Sequence, residues 1–403
     1  MKPSDFPRDI RFRTAGDAFI ENGVAHLRNY ADIKRVMLDE EAKEFTQDTS
    51  YWAPQNQRIH ISWYFLWATG KRKADGSVGR HDLLRSIIEP YFRTKPVKEM
   101  ALQIENDSKV LIRKIIEKGT GHFDLANEYA YLLSLRTICS MVGLPYEREK
   151  WMRAQLEIFT QTPDLEQVKR EPQEVEDYFR EVIHYRQKKP GNEAIDILIE
   201  AWQNEKITEI ELMGYMWGLF QAGTDTTGTN IINALSLFGE FGLLDEARAN
   251  IHNEEWLRRA GEEVLRFGTP FAAGPSLAIK DVTLDSGLHI PAMTMVRLWF
   301  SAANRDEYIN GGNPNATSPE IFDIHRWPNQ HMTFGLGMHY CVGSQLAKLE
   351  TKIALQTLLH YLPNLQFDQT KPFDRFAGIV DGVKEAHFTF DQQKAEKLLD
   401  QLL

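Results

Sequence analysis

A long helical stretch constrains the fold of this chain more than any other feature of its sequence. Thr208-Glu209-Ile210-Glu211 has the pattern of a capping box, in which the threonine and the second glutamate accept hydrogen bonds from free backbone amides at a helix start. Apolar residues at helical spacing continue from there to about Gly239. We therefore expect a core-forming helix surrounded by other helices.

The middle of this helix is polar. "MWGLFQAGTDTTGTNIINAL" (216–235) is apolar at both ends, and the Thr-Asp-Thr-Thr run between them competes for backbone hydrogen bonds. Gly223 costs about 1 kcal/mol relative to alanine inside a helix. One interpretation is functional: Gly223 gives room for a flat ligand, while Asp225 and Thr226 relay protons. The other is a kinked core helix whose polar residues bond their own backbone.

The rest of the chain is mostly helical, with a little antiparallel sheet. Apolar residues on one helix face precede Lys189-Pro190-Gly191, namely Val175, Tyr178, Phe179, Val182 and Ile183. Further helices are expected around 253–267 and just after Cys341. Two hairpins are predicted, turning at Asn22-Gly23 and at Ser286-Gly287.

The domain organisation is inferred from the segments that connect these helices and strands. Strand-rich parts are expected at about 18–60, 275–300 and 375–392, and no Pro/Gly/Ser-rich linker divides the 403 residues. The prediction is a single large domain, 1–403, of the α+β class: mainly α with small antiparallel β-sheets.

Charge and cysteine content exclude several classes of protein. The formal net charge of −10 argues against broad electrostatic binding to nucleic acid. Two cysteines give no disulfide framework, which suits a reducing cytosol. The N-terminus has no signal-peptide apolar region, and no apolar run approaches the ~20 residues that span a bilayer. We expect a cytoplasmic protein without membrane association.

One of the two cysteines lies in an unusual setting. In "HMTFGLGMHYCVGSQLAKLE" (331–350), Cys341 is surrounded by glycines at 335, 337 and 343. A lone cysteine is more often a small buried apolar residue. Here, helical spacing of the apolar residues from Val342 to Ile353 places the sulfur at a helix N-terminus, which favours the thiolate. With no second Cys or His at zinc spacing, one thiolate beside a glycine-lined surface for a flat ring indicates haem iron.

Four motifs together resemble those of the cytochrome P-450 family. Residues 334–343, "FGLGMHYCVG", resemble the haem-binding signature at every fixed position of the bacterial form. Ala222-Gly223-Thr224-Asp225-Thr226 resembles the oxygen-binding groove of the central helix. Glu263-Val264-Leu265-Arg266 resembles the Glu-x-x-Arg pair, and His81-Asp82-Leu83-Leu84-Arg85 resembles the helix that holds the haem propionates. The resemblance extends over nearly the whole chain from about residue 23.

The resemblance implies the family's fold and a haem b site. Cys341 would be the axial thiolate ligand of iron protoporphyrin IX, with Asp225 and Thr226 delivering protons. Residues implied to contact the haem are His81, Arg85, Ala222, Gly223, Phe334, Gly335, His339, Cys341 and Gly343. Glu263, Arg266 and Arg326 would form a buried structural network. From the residues alone, an exposed ion pair is the favoured interpretation of Glu263–Arg266, and an exposed basic face is that of His81 and Arg85.

The implied activity is that of a monooxygenase. It would use O2 and NAD(P)H-derived electrons, delivered by a ferredoxin or flavodoxin with its reductase, to hydroxylate or epoxidise a hydrophobic or aromatic small molecule in secondary metabolism. A monomer is expected. One alternative is the same fold used for oxidative C–C or C–N coupling or nitration, and another is a non-enzymatic haem-based sensor, which would need no proton relay.

Substrate contacts are expected where family members line their pockets. These positions are Phe220, Gln221, Phe271, Ala272, Ile379 and Val380. The aromatic segment 58–81, with Trp63, Tyr64, Phe65 and Trp67, is interpreted as packing rather than substrate contact. One departure from the family stands out: Ser276 occupies the position where bacterial members usually carry an arginine for a propionate.

Overall fold

The structure is a computed structural model in which residues 2–4, 12, 14–39, 43–47, 80–161, 173–313, 315–376 and 380–402 are described. The segment 58–79, including the four aromatic residues named above, and Ile379 lie outside the described residues. Within the described part, helices dominate and strands are short.

Helix α9 is the longest described helix and forms the centre of the fold. The helices are α1 (Tyr30–Met37), α2 (Arg80–Ile88), α3 (Thr94–Glu99), α4 (Ala101–Glu117), α5 (Tyr131–Val142), α6 (Glu149–Gln161), α7 (Gln173–Lys188), α8 (Ala194–Gln203), α9 (Glu209–Glu240), α10 (Leu244–Ala249), α11 (Glu254–Gly268), α12 (Phe300–Ala303), α13 (Ser344–Tyr361) and α14 (Gln392–Glu396).

The capping box of α9 is confirmed. Thr208 Oγ1 accepts from Glu211 N at 3.2 Å, and Glu211 Oε2 accepts from Thr208 N at 2.8 Å. From Leu212 to Phe238 most side chains of α9 are buried, against α5, α11 and α13 among others. The packing of these apolar faces, rather than helix propensity, therefore stabilises the helix.

The strands form one larger sheet and three small ones. They are β1 (Phe19–Glu21), β2 (Val24–Leu27), β3 (Phe45–Thr46), β4 (His122–Asp124), β5 (Gly274–Ala278), β6 (Val282–Thr283), β7 (His289–Ile290), β8 (Thr294–Leu298), β9 (Gln366–Phe367), β10 (Asp374–Arg375), β11 (Val383–Glu385) and β12 (His387–Thr389). The strand orders are β1-β2-β8-β5-β3, β4-β12-β9, β6-β7 and β10-β11.

Both predicted hairpins are confirmed, as antiparallel pairs β1–β2 and β6–β7. The expectation of antiparallel sheets is wrong for one pair, since β2 and β8 run parallel, with Val24 opposite Met295. The predicted strand regions also omitted β4 and β9, which pair with β12. These pairings join segments far apart in sequence, which local patterns do not reveal.

Two apolar clusters hold the layers together. The larger includes buried side chains of α4, α5, α9 and α13, and the smaller joins α1 to the five-stranded sheet. Within the described part of the chain, no helix combines the length and the apolar character needed to cross a bilayer. The space between the two clusters is where the cavity described next lies.

Candidate functional site

A deep cavity lies between α9 and the loop that carries Cys341. Residues of α9 in its wall are Tyr215, Gly218, Leu219, Ala222, Gly223, Thr226, Thr227 and Asn230. Because these positions are three or four apart, they form one face of the helix. On the opposite side lie the loop residues Phe334, Gly335, His339, Tyr340, Cys341, Val342 and Gly343. The structure thus brings two of the sequence motifs to the same space.

Thr226 combines the two interpretations of the polar run. Its hydroxyl lines the cavity and also donates to Ala222 O at 2.6 Å, one turn back in the same helix. Thr224 makes the same kind of bond to Phe220 O at 2.7 Å, but its side chain is buried outside the described cavity wall. The polar residues therefore do bond their own backbone, and one of them is also presented to the cavity.

Asp225 does not line the cavity, which corrects the expectation that it faces the ligand beside Thr226. Successive helix residues are rotated by about 100°, so the residue preceding Thr226 points elsewhere. Asp225 is 0% exposed and forms an ion pair with Arg153 of α6. The Arg153 guanidinium in turn lies 3.9 Å from the ring centroid of Tyr131. The carboxylate is thus held between helices.

Gly223 borders the cavity, and room for a flat ligand is only part of the reason for a glycine at this position. A Cβ at Gly223 would lie 2.6 Å from Cγ1 of Ile138 on α5. The missing side chain therefore allows α5 and α9 to pack closely, and Ile138 itself becomes part of the cavity wall. Room for a flat ligand is a second effect of the same glycine.

The loop preceding Cys341 turns through two left-handed glycines, Gly335 (φ 69°) and Gly337 (φ 65°). A hydrogen bond from Cys341 N to Phe334 O, 2.8 Å, closes it, and α13 begins three residues after the sulfur. A Cβ at Gly343 would lie 4.0 Å from Cys341 Sγ. A side chain at this position would thus begin in van der Waals contact with the sulfur.

The helix N-terminus alone does not make Cys341 a thiolate. Burial raises the pKa of the thiol above its ordinary value, while the amide of Gly343, the charge of Arg85 and the amide of Ser344 act to lower it. Because metal ions bind the thiolate form, binding of a metal ion would favour deprotonation.

The donor set fits a haem. Among the described residues, no group of three or more His, Cys, Asp or Glu side chains is placed to hold a metal ion. A metal bound by Cys341 therefore needs further ligands that are not side chains, as a porphyrin supplies. The small residues Ala222 and Gly223 of α9, on the other side of the cavity from the sulfur, leave room for the flat ring.

Basic and imidazole groups lie at one edge of the cavity. The rings of His81 and His339 are 5.1 Å apart in an edge-on arrangement, and Arg85 donates from Nη1 to Tyr340 O at 2.8 Å. Burial, with His81 and Arg85 nearby, lowers the pKa of His339 to about 3, so this imidazole is neutral. The structure places all three in the cavity wall rather than on an exposed face.

Glu263 and Arg266 form a buried network, not an exposed surface pair. Arg266 donates from Nη2 and Nε to the two Glu263 oxygens at 2.6 and 2.7 Å. Arg326 Nε lies 3.3 Å from Glu263 Oε2. Asn329 and the backbone amide of Asp323 also donate to this carboxylate. One carboxylate and two guanidinium groups thus form a cluster in which all three side chains are buried.

This network is tied to the cysteine loop through a short chain of hydrogen bonds. Arg266 Nη1 donates to Asn304 O at 2.8 Å, and Asn304 Oδ1 accepts from Met332 N at 2.7 Å. Thr333, directly before Phe334, donates to Leu265 O at 2.8 Å. The loop is therefore fixed to α11 at the residue where it starts.

Of the predicted substrate contacts that the structure describes, Phe271 alone lines the cavity. The other expected contacts, Phe220, Gln221, Ala272 and Val380, lie outside the described cavity wall. Phe220 points away from the Leu219 side of α9 and packs with Trp217, with ring centroids 5.9 Å apart. Ala272 and Val380 are buried where loop segments cross, Ala272 O accepting from Ser301 N.

Sequence reasoning missed a buried acid, Glu350, in the cavity wall. It accepts from Ser134 Oγ at 2.6 Å, and burial raises the pKa of its carboxyl to about 8, against the hydrogen bonds of Ser134 and Thr137. Val342, Leu346 and Glu350 are four apart and line the cavity together. The helical spacing after Cys341 was the signal that could have found it.

Glu350→Gln is expected to flatten the pH dependence of stability. Between pH 4.5 and about 8, the folded protein keeps a proton on Glu350 that the unfolded chain releases. The wild type therefore loses stability as pH rises through this window, by up to roughly 1.4 kcal/mol per pH unit from this group. Denaturant unfolding of both proteins across the window measures the difference, and equal slopes would contradict a raised pKa at Glu350.

Known proteins are similar to this chain in sequence and in fold. The family model of cytochrome P-450 matches residues 251–390. The chain is 28% identical over 378 residues to the putative cytochrome P-450 YjiB of Bacillus subtilis, covering 90% of this chain and 88% of that protein. It is 31% identical over 293 residues to the biotin biosynthesis cytochrome P-450 of the same organism, covering 71% of each.

A solved structure matches over nearly the whole length. It is that of CYP109E1 from Bacillus megaterium in complex with testosterone, with a TM-score of 0.80 and 24% sequence identity, covering 95% of this chain and 96% of that one. At this identity, the likeness speaks for the fold.

Proposed function

Since the chain belongs to the cytochrome P-450 family, we propose that it hydroxylates or epoxidises a hydrophobic or aromatic small molecule in secondary metabolism. As a member of the family it is a monooxygenase, an oxidoreductase of haem-thiolate type that depends on a redox partner and acts on a small molecule. The observation that carries the proposal is the cavity that joins Cys341, Thr226 and a largely apolar wall.

Cys341 would bind the haem iron, and Phe334, Gly335 and Gly343 would surround the sulfur. Ala222 and Gly223 would border the opposite face of the ring. His81, Arg85 and the neutral His339 would contact its propionates, through a charge at Arg85 and a ring N–H at His339. When bound, haem with a thiolate ligand supplies the chemistry of O–O bond cleavage.

Thr226 would hold and pass a proton at the cavity surface. Its hydroxyl is the group of the Asp225-Thr226 pair that lines the cavity. Asp225 can reach the same space only by leaving Arg153, so the geometry supports Thr226 as the residue that acts there directly. Glu263, Arg266 and Arg326 would serve the fold, by holding the segment that leads into the cysteine loop.

The wall of the cavity supports an apolar, aromatic substrate. Side chains around it include Leu84, Phe92, Leu219, Phe271 and Phe300. Such surfaces favour ligands with little charge, because burial of apolar area drives their binding. Electrons would come from NAD(P)H through a ferredoxin or flavodoxin and its reductase, with docking near the cysteine loop.

The test is a reconstitution with a surrogate ferredoxin and reductase under labelled O2. Ligands are first selected by their shift of the haem spectrum, from aromatic amino-acid derivatives, cyclic dipeptides, terpenoids and polyketides. Incorporation of one labelled oxygen into the product supports the proposal. A product that has lost two hydrogens indicates coupling instead, and no oxygen-dependent NAD(P)H consumption with any ligand indicates a sensor.

Thr226→Ala is expected to uncouple the reaction. Without the hydroxyl, proton transfer at the cavity fails while electrons still arrive, so reducing equivalents are diverted to hydrogen peroxide. We expect the amount of product formed per NAD(P)H to fall at least about tenfold. This lower bound is smaller than the roughly 10²–10⁴-fold contribution typical of a general acid or base. Product and peroxide are measured together.

Thr224→Ala is the matched control, since Thr224 makes the same bond to its own backbone but lies outside the described cavity wall. It should keep wild-type coupling. Unchanged coupling in Thr226→Ala would remove Thr226 from the mechanism.

A further inference from the structure

We propose that the side-chain amide of Gln47 binds a carboxylate group of the haem, an inference that rests on the haem site proposed above. Gln47 follows β3 directly and lines the cavity together with Met37, His81, Arg85 and His339. Its place in the fold, its lack of strong hydrogen-bond partners and the charge balance of the cavity wall each support this role.

Gln47 lies on the same side of the cavity as the cysteine loop and His339. Its Nε2 is 3.4 Å from Met37 Sδ. The Met37 methyl carbon lies 3.2 Å from where a Cβ of Gly335 would be, and that same point is 3.6 Å from His339 O. Gln47 is therefore separated from the loop by a single side chain.

The amide of Gln47 lacks good partners although the residue is only 6% exposed. A thioether is a weak acceptor, so the contact with Met37 satisfies Nε2 poorly. Oε1 has no hydrogen-bond partner among the residues that the structure describes. A buried N–H donor that is poorly satisfied is costly, and a carboxylate oxygen would satisfy Nε2, because an ionised acceptor forms a stronger bond with N–H. Rotation of the amide by half a turn can present either atom.

The cavity wall offers little positive charge for an acidic ligand. Arg85 is the sole lysine or arginine among the described residues that line it. Haem b carries two propionates, so one guanidinium has to be supplemented by neutral donors. Ser276 does not take this part, because it lies outside the described wall and its hydroxyl donates to Thr46 O at 3.2 Å. Thr46 precedes Gln47, which places the glutamine amide next to the strand position that lacks an arginine.

The experiment compares how fast ferric holoprotein loses haem b to excess apomyoglobin, in wild type, Gln47→Leu and Gln47→Glu, at alkaline pH so that the glutamate is ionised. We expect loss several-fold faster for Gln47→Leu, because a donor is missing. For Gln47→Glu we expect haem loss to be faster by about tenfold or more, because the glutamate carboxylate then faces a propionate carboxylate. Gln356→Leu, at a half-buried glutamine of α13 that bonds Ile251 O outside the cavity, should match the wild type.

A second measurement separates haem binding from folding. Since Gln47→Leu removes a poorly satisfied amide, its apoprotein should unfold no earlier than the wild-type apoprotein while its holoprotein loses haem faster. Haem loss at the wild-type rate in both Gln47 variants would overturn the inference. Earlier unfolding of the Gln47→Leu apoprotein would assign the effect to the fold instead. Absence of a haem-thiolate spectrum in the wild type would overturn the proposed function, a different result.

Discussion

Replacement of Cys341 by alanine is expected to abolish the red-shifted absorption of the reduced carbon-monoxide complex, together with oxygen-dependent turnover. The band reports a thiolate on the iron, and Cys341 is the one sulfhydryl among the described residues that line the cavity. No described cluster of His, Cys, Asp or Glu offers a substitute metal site. The measurement is the difference spectrum of the reduced, carbon-monoxide-treated variant at equal haem loading.

Cys139→Ala provides the matched control, since it removes the other cysteine of the chain. Cys139 is buried in α5 with 0% exposure and lies outside the described cavity wall. This variant should keep the band and lose only modest stability, about 1 kcal/mol for a small cavity. Survival of the band in Cys341→Ala would refute the ligand assignment, and its loss in Cys139→Ala alone would transfer the assignment to that residue.

Arg266→Leu is expected to destabilise the fold by about 3–5 kcal/mol, as found for buried ion pairs that lose one partner. The substitution leaves the Glu263 carboxylate in the core with much of its charge compensation removed. It also removes the donors to the carbonyls of Asn304, Pro319 and Ile321. Denaturant unfolding of the apoprotein measures the loss free of haem.

Arg258→Leu tests the same change where water reaches the pair. Arg258 and Glu255 lie on the same helix at the same spacing of three residues, with Nη2 2.8 Å from Oε1, but both are exposed. The expected cost is below about 1 kcal/mol. Similar losses of unfolding free energy in the two variants would show that burial does not decide how much such an ion pair contributes to stability.

Local sequence patterns predicted the parts of the fold that depend on residues close together in the sequence. The capping box at Thr208 begins α9, the spacing after Cys341 describes α13, and the Asn22-Gly23 turn joins β1 to β2. Each depends on residues within a few positions of one another, so one sequence contains the necessary information. The family likeness was read from motifs of the same local kind.

Pairings between distant segments could not be predicted in this way. The residues near Asp225 in sequence do not indicate that it pairs with Arg153. Those near Gly223 do not indicate that it packs against Ile138. The parallel pairing of β2 with β8 joins residues about 270 positions apart. The turn of Asp225 away from the cavity, however, follows from helix geometry once Ala222 and Thr226 are placed on the inner face.

The hydrogen bonds that join α11 to the start of the cysteine loop have a consequence for how the protein unfolds. Leu265 O holds Thr333, and Asn304 links that segment to the Arg266 side chain. Heat or denaturant that loosens the ion cluster is therefore expected to loosen the segment that leads into Cys341 in the same step. If Cys341 binds the haem as proposed, loss of the haem-thiolate spectrum on heating is expected to coincide with unfolding of this segment.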